Sequence, residues 1–213
     1  MSTGDSDDRC CGSPTVRSAL AFASSRHAGQ YREVDRAPFI AHPIEVARLL
    51  RRDRYPDHVV AAGLLHDLLE KTPTTDAELA RRFGLRIARL VTTVSDDPSI
   101  ESYDERKRDL RERVERADSD ALAVFAADKV AKVREHALRP RRRRHDADTR
   151  AKLAHYGASL AMLRRVAGEL ALVNCLDLEF ARLVAPARVE LTATRTVRPA
   201  RVLIAATHRA HAS

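Results

Sequence analysis

The sequence predicts an all-α fold with a metal site in its core, and three observations carry that reading. Only seven of the 213 residues are glycine, too few for a strand-and-turn architecture. Aromatic residues make up 4% of the chain and tryptophan is absent, so the core must rest on Leu, Val, Ile and Ala, which pack helix against helix. Two stretches apolar enough to be buried helices nevertheless carry ionisable residues, and these need a compensating partner. The length and a hydrophobic fraction of 44% suit one domain with a sizeable core.

Residues 1–12 read as a disordered acidic leader. Ser13 and Pro14 then start a helix, because a serine oxygen caps free amides and proline suits the first turn. It runs to about Ala28, with Val16, Leu20, Ala23 and His27 on one face, and Gly29 stops it. Gln30 to Ala41 carries charges, Pro38 and no helical period, so it is a loop. Pro43 opens the next helix, from Ile44 to about Arg51. Asp57 caps a third helix that is apolar on every side through Val59, Val60, Ala61, Ala62, Leu64 and Leu65, the mark of a central element. Thr75 caps a short helix ending at Gly84, and Leu85 to Ser95 continues with Ile87, Leu90, Val91 and Val94 at helical spacing.

The heavily charged run Glu101 to Arg116 must lie on the surface, whereas Leu122 to Leu138 is a second buried helix. Asp146 or Asp148 starts a long amphipathic helix to about Leu172, and a short one follows near Asp177 to Val184. Beyond Pro186, the segments Arg188 to Val197 and Arg201 to Ala206 read as a hairpin or a frayed helix. The main domain is thus placed at residues 13–185, followed by a basic extension over 186–213.

Composition also excludes classes. Three cysteines cannot all pair, and Cys10 and Cys11 are neighbours, so a secreted disulfide framework is not expected and a cytoplasmic location is. No apolar stretch follows a basic start, and none is long enough to span a bilayer, so a membrane is not an expected partner. A net charge of +8 calls for an anionic one. Part of that charge lies in the run Arg139 to Arg144, which reads more readily as a solvated loop than as a nucleic-acid contact. Aromatic residues that could stack on bases are missing nearby.

The chemistry concentrates on His66 and Asp67, which end the first apolar helix. A buried ionisable pair without a role costs several kcal/mol. Neighbours on a helix diverge by about 100°, so an imidazole and a carboxylate there can converge on one ion between them. Glu70 follows one turn later on the same face. His42, at a loop-to-helix junction, and Asp128, on the second buried helix, complete a set of two histidines and two aspartates. Such mixed nitrogen and oxygen donors suit Mn²⁺, Fe²⁺ or Zn²⁺ better than Ca²⁺.

With these residues in hand, the chain from Ala19 to Glu135 resembles the HD hydrolase domain of the RelA/SpoT alarmone enzymes, especially their stand-alone small alarmone hydrolases. The resemblance rests on His27-Ala-Gly-Gln30-Tyr-Arg32, Pro38-Phe-Ile-Ala-His42-Pro43, Ala62-Gly-Leu-Leu-His66-Asp67, Glu70, Thr72, Phe83-Gly84, Leu90-Val91, Glu105-Arg106-Lys107 and Ala127-Asp128-Lys129. It implies an HD-domain helical bundle and Mn²⁺-dependent removal of the 3′-pyrophosphate from guanosine tetra- or pentaphosphate. The metal ligands it implies are His42, His66, Asp67 and Asp128. Arg32 would contact the nucleotide base, and Glu70 would attend the attacking water. Lys129, Lys132, Arg106 and Lys107 would meet substrate phosphates, and the Glu105 to Lys107 segment would fold toward the active site, with Tyr103 a candidate for packing on a nucleotide. His27 reads as a structural residue, and Cys175 as a small core residue.

Two positions depart from the family pattern. Lys71 stands where the family has the second acid of a Glu-Asp pair, and Lys132 where it has an asparagine. An ammonium in place of a carboxylate changes the local charge by two units beside a metal, so Lys71 joins Glu70 as a residue that decides the catalytic chemistry. Two alternatives follow from these lysines: a hydrolase of another phosphorylated metabolite, and a catalytically degenerate domain that binds a nucleotide or a partner protein. The sequence gives no oligomeric state.

Overall fold

A computed structural model describes residues 13–139 and 147–185. The expected leader, most of the arginine run and the expected hairpin or frayed helix of the C-terminal extension lie outside the described residues. Among the described residues the regular structure is helical, apart from one antiparallel bridge between Tyr31 and Pro38. The helices are α1 (Pro14–Arg26), α2 (Ala41–Arg52), α3 (Asp57–Leu65), the single turn α4 (Leu68–Lys71), α5 (Asp76–Phe83), α6 (Leu85–Val94), α7 (Tyr103–Glu115), α8 (Ser119–Leu138), α9 (Ala147–Ala167) and α10 (Ala171–Val184). No helix among them is long and apolar enough to cross a membrane.

Several expected caps form. The Ser13 side chain accepts from the amide of Val16, and Thr75 from that of Glu78. Gly29 and Gly84 take φ of 78° and 86°, where an L side chain would be strained. Asp57, by contrast, occupies the first turn of α3 rather than its cap; Pro56 is the capping residue and offers no side-chain oxygen. The carboxylate instead lies 3.5 Å from Arg51.

Three boundaries also move. α2 begins at Ala41, not Ile44, because Pro43 sits in a first turn whose amides have no intrahelical partner to lose. His42 is therefore inside the helix. The predicted helix to Leu172 ends at Ala167, and α10 starts at Ala171, well before Asp177; Gly168 and Glu169 form the turn between them. The buried face of α1 is Val16, Ala19, Phe22 and Ala23, while Leu20 is exposed. The i, i+3, i+7 series selects Ala19 over Leu20, and Phe22 packs on Phe83 with ring centroids 5.5 Å apart.

α3 and α8 form the centre. α3 packs against α1, α2, α6 and α8, and α8 against α2, α3, α9 and α10. Every residue of α3 from Val59 to Leu65 is buried, as are thirteen residues of α8. Gly63 permits the close crossing of α2 over α3: a Cβ there would meet Leu50 Cδ1 at 2.6 Å and Val46 Cγ1 at 3.2 Å. This approach brings His42 of α2 to the end of α3. Arg134 on α8 then ties Glu45 of α2 at 2.6 Å and Glu179 of α10 at 3.0 Å.

Candidate metal centre

α3 stops at Leu65, and His66 and Asp67 occupy the junction to α4 with backbone angles still in the helical region. Their side chains therefore leave the apolar core at its edge and point toward α2 and α8. His42, His66, Asp67 and Asp128 are all buried, at 1%, 4%, 1% and 5% exposure. His42 Nε2 lies 3.3 Å from His66 Nε2 and 3.0 Å from Asp128 Oδ1, and His66 Nε2 is 3.4 Å from that same oxygen. Asp67 Oδ2 stands 3.5 Å from His42 Nε2 and 3.3 Å from His66 Nε2. Donors each about 2.1 Å from one divalent ion stand about 3.0–3.4 Å apart at angles of 90–109°.

The fit to a cation rests on one further observation. Asp67 Oδ2 is buried and has no hydrogen-bond partner among the described residues, although it faces two imidazole nitrogens. A solitary buried carboxylate oxygen is costly, and a cation in the same corner satisfies it. The residues present therefore fit a divalent ion. His42, His66 and Asp128 each turn one donor atom inward so that the three lie within 4.8 Å of one another, and Asp67 flanks both imidazoles.

The outer nitrogens are fixed. His66 Nδ1 donates to the carbonyl of Gly63 at 2.8 Å, and His42 Nδ1 donates to Glu135 Oε1 at 2.8 Å. A carboxylate or carbonyl only accepts, so each ring keeps a proton on Nδ1, and the Nε2 lone pair is the one that would serve a metal, at His42 once Nε2 gives up its proton. Burial pushes the His42 imidazole down, but its bonds to Asp128 and Glu135 outweigh that and raise it to about 9 in the absence of an ion. Against the same cost of burial, Lys132 and the two histidines hold Asp67 below its ordinary range, and Lys129, Lys132 and the histidines do so for Asp128.

Glu135 was not singled out by the sequence. It lies seven residues after Asp128 on the same face of α8, and it binds both His42 and Arg32, the latter at 3.3 Å. Asp96 was missed as well. Its backbone amide donates to Glu70 Oε1 at 2.9 Å, and its carboxylate takes Lys107 at 2.6 Å and Arg106 at 3.4 Å.

The corner opens at His42 into a cavity of about 490 Å³. Its lining includes Arg32, Lys71, Lys132, Arg139 and Lys152, opposed by Glu33 and Glu135, so the wall is predominantly cationic. Of the residues expected to contact substrate, Arg32 and Lys132 line this cavity. Lys129 does not: it is buried, its ammonium 2.6 Å from Asp128 Oδ2 and 4.2 Å from the centre of the Phe125 ring. Arg106 and Lys107 also lie outside the lining, held at Asp96 and over Tyr103. Glu70 is exposed and Lys71 lines the cavity. His27 packs on Phe39 with ring centroids 4.8 Å apart, and Cys175 is partly buried against the core.

An all-helical domain that gathers two histidines and two aspartates, His66-Asp67 among them, into one buried corner belongs to the class of helical metal-binding hydrolase folds. The model of the HD domain family matches residues 19–155, and the chain belongs to that family. Among its relatives, the zebrafish guanosine-3′,5′-bis(diphosphate) 3′-pyrophosphohydrolase MESH1 is 36% identical over 129 residues, covering 59% of this chain and 71% of the relative. The human MESH1 is 38% identical over 120 residues, covering 55% and 66%. A solved metazoan ortholog of SpoT, described as hydrolysing ppGpp with a role in starvation responses, superposes with a TM-score of 0.70 at 26% identity. It covers 80% of this chain and 96% of that one.

Proposed function

We propose that the protein is a metal-dependent alarmone hydrolase that removes the 3′-pyrophosphate of guanosine tetra- or pentaphosphate. The observation that supports this most directly is the junction of two features at His42: a buried corner of His42, His66 and Asp128 flanked by Asp67, and a cation-lined cavity. The MESH1 relatives carry that activity in their names. The site takes Mn²⁺ in this reading, since mixed imidazole and carboxylate donors suit that ion. The protein works in the cytoplasm, in keeping with its cysteine usage.

His42, His66, Asp67 and Asp128 would hold the ion, which when bound supplies Lewis acidity and a water of lowered pKa. The protein's own groups do the rest. Glu70, steadied by the Asp96 amide, orients the attacking water and accepts its proton. Lys71 and Lys132 anchor phosphoryl oxygens from the cavity wall, and neutralise charge that grows as the phosphorus–oxygen bond breaks. Arg32, gripped by Asp35 and Glu135, presents a fixed guanidinium to the base. Lys129 acts from below by holding Asp128, while Arg106 and Lys107 on α7 grip the carboxylate of Asp96, whose amide steadies Glu70.

The test is release of pyrophosphate from guanosine tetraphosphate by the Mn²⁺-loaded chain. Release must exceed that of a His66→Ala, Asp67→Ala double variant; equal rates would refute the proposal.

A further inference from the structure

Asp128 is held on both oxygens. Lys129 Nζ lies 2.6 Å from Oδ2, and Lys132 Nζ lies 3.1 Å from Oδ1, the same oxygen that faces His42 and His66. Lys132 also stands 3.7 Å from Asp67 Oδ1. The two metal-facing carboxylates are therefore already neutralised by two ammonium groups before any ion enters. Counting the two carboxylates and the two ammonium groups, a dication would bring the formal charge from zero to +2. Lys129 sits on the far oxygen and is buried among apolar residues, so it stays where it is. Lys132 is 28% exposed at its side chain and lines the cavity, so its ammonium has somewhere to go.

From this arrangement we infer that Lys132 is a resident counter-cation that competes with the metal for Asp67 and Asp128. It sets a high threshold for metal loading. A polyanion in the cavity lowers that threshold, because it gives the ammonium a second partner and draws it off the carboxylates. Metal and phosphorylated ligand consequently load together, and the protein alone holds the ion weakly. The inference rests on the metal corner, and it stands whichever phosphate ester the cavity accepts.

The experiment is calorimetric titration of the metal-stripped full chain with Mn²⁺ in the absence of any phosphate. Like charges a few ångströms apart at a half-buried site disfavour each other by at least tenfold in affinity. Lys132→Met, which keeps the stem and removes the charge, is expected to bind Mn²⁺ about tenfold or more tightly than the natural chain. Lys132→Arg, which keeps the charge, is expected to match the natural chain. Thermal unfolding of both variants checks that they fold, and Lys132→Gln replaces the methionine variant if that one does not. Unchanged or weaker binding once the charge is removed overturns the inference. So does tighter binding by the arginine variant, which would make the effect one of shape. Because no substrate is present, these outcomes are independent of the alarmone assay.

Discussion

Two clusters of buried histidine flank the C-terminal half of α8, one where it meets α2 and α3 and the other where it meets α9, and burial does opposite things in them. In the metal corner His42 is 1% exposed and is raised to about 9, because Asp128 and Glu135 accept from its ring. At the seam of α8 and α9, His136 is 7% exposed and is lowered to about 4, by burial first and then by Arg139 and Lys152. His155 on α9 is likewise pushed down by burial, with Lys129, Lys107 and Arg111 beside it. Burial disfavours the imidazolium in both places. What differs is the sign of the neighbouring charge, so a buried histidine becomes a metal ligand only where carboxylates answer it.

The largest expected effect breaks the metal corner outright. Asp67→Ala removes the orphaned oxygen that faces both imidazoles, and pyrophosphate release should fall by roughly a thousandfold or more, since a catalytic ion contributes several kcal/mol. Titration of the metal-stripped variant with Mn²⁺ should show binding weaker than that of the natural chain. A variant that keeps both ion and activity would dissolve the distinction between the clusters.

Opposite pH dependences should follow in the metal-stripped chain. His136 has a folded pKa of about 4 against 6.5 when unfolded, so its contribution is fully present above pH 6.5 and is lost as pH falls toward 4. His42 has a folded pKa of about 9, so its contribution is fully present below pH 6.5 and is lost as pH rises through 9. Each contribution has a ceiling of about 3 kcal/mol. Urea unfolding at a series of pH values should show decline at both ends, with His136→Gln lessening the decline between about pH 6.5 and 4 and leaving the alkaline side unchanged.

Next in size is the carboxylate that answers His42. Glu135→Gln keeps an acceptor for Nδ1 but removes the charge, and metal affinity should fall by about 10- to 100-fold. Glu135→Asp should restore part of that loss. Smallest of all, Lys152→Gln removes one of the cations beside His136, and the ring's titration midpoint, followed by NMR, should move up toward 6.5. An unmoved midpoint would show that Lys152 contributes nothing to holding this histidine down.

The same contrast explains what could be read from the chain. His66-Asp67 and Asp128 were legible because each interrupts an apolar stretch, and a charge there demands a partner wherever the helix lies. The buried histidines of the α8 and α9 seam looked no different in sequence from any amphipathic position. Glu135 was unreadable as a partner of His42, 93 residues away, until α2 crossed α8. Arg106 and Lys107 looked like phosphate ligands, but both are held at Asp96, a pairing that local spacing does not encode.

Local propensity and period by themselves determined the helical class, the centrality of α3 and α8, the caps at Ser13 and Thr75, and the placing of His66-Asp67 and Asp128 on apolar stretches where a charge needs a partner. Those are properties of single segments, fixed by side-chain type and a 3.6-residue repeat. Tertiary structure decided the start of α2, the break at Gly168, the choice of Phe22 over Leu20, and above all which charges face one another. Gly63 lets α2 come close enough to set His42 beside His66, and Lys132 meets Asp67 only because α8 packs against the end of α3. Electrostatic energy depends on distance through space, and distance between helices is set by packing rather than by position along the chain.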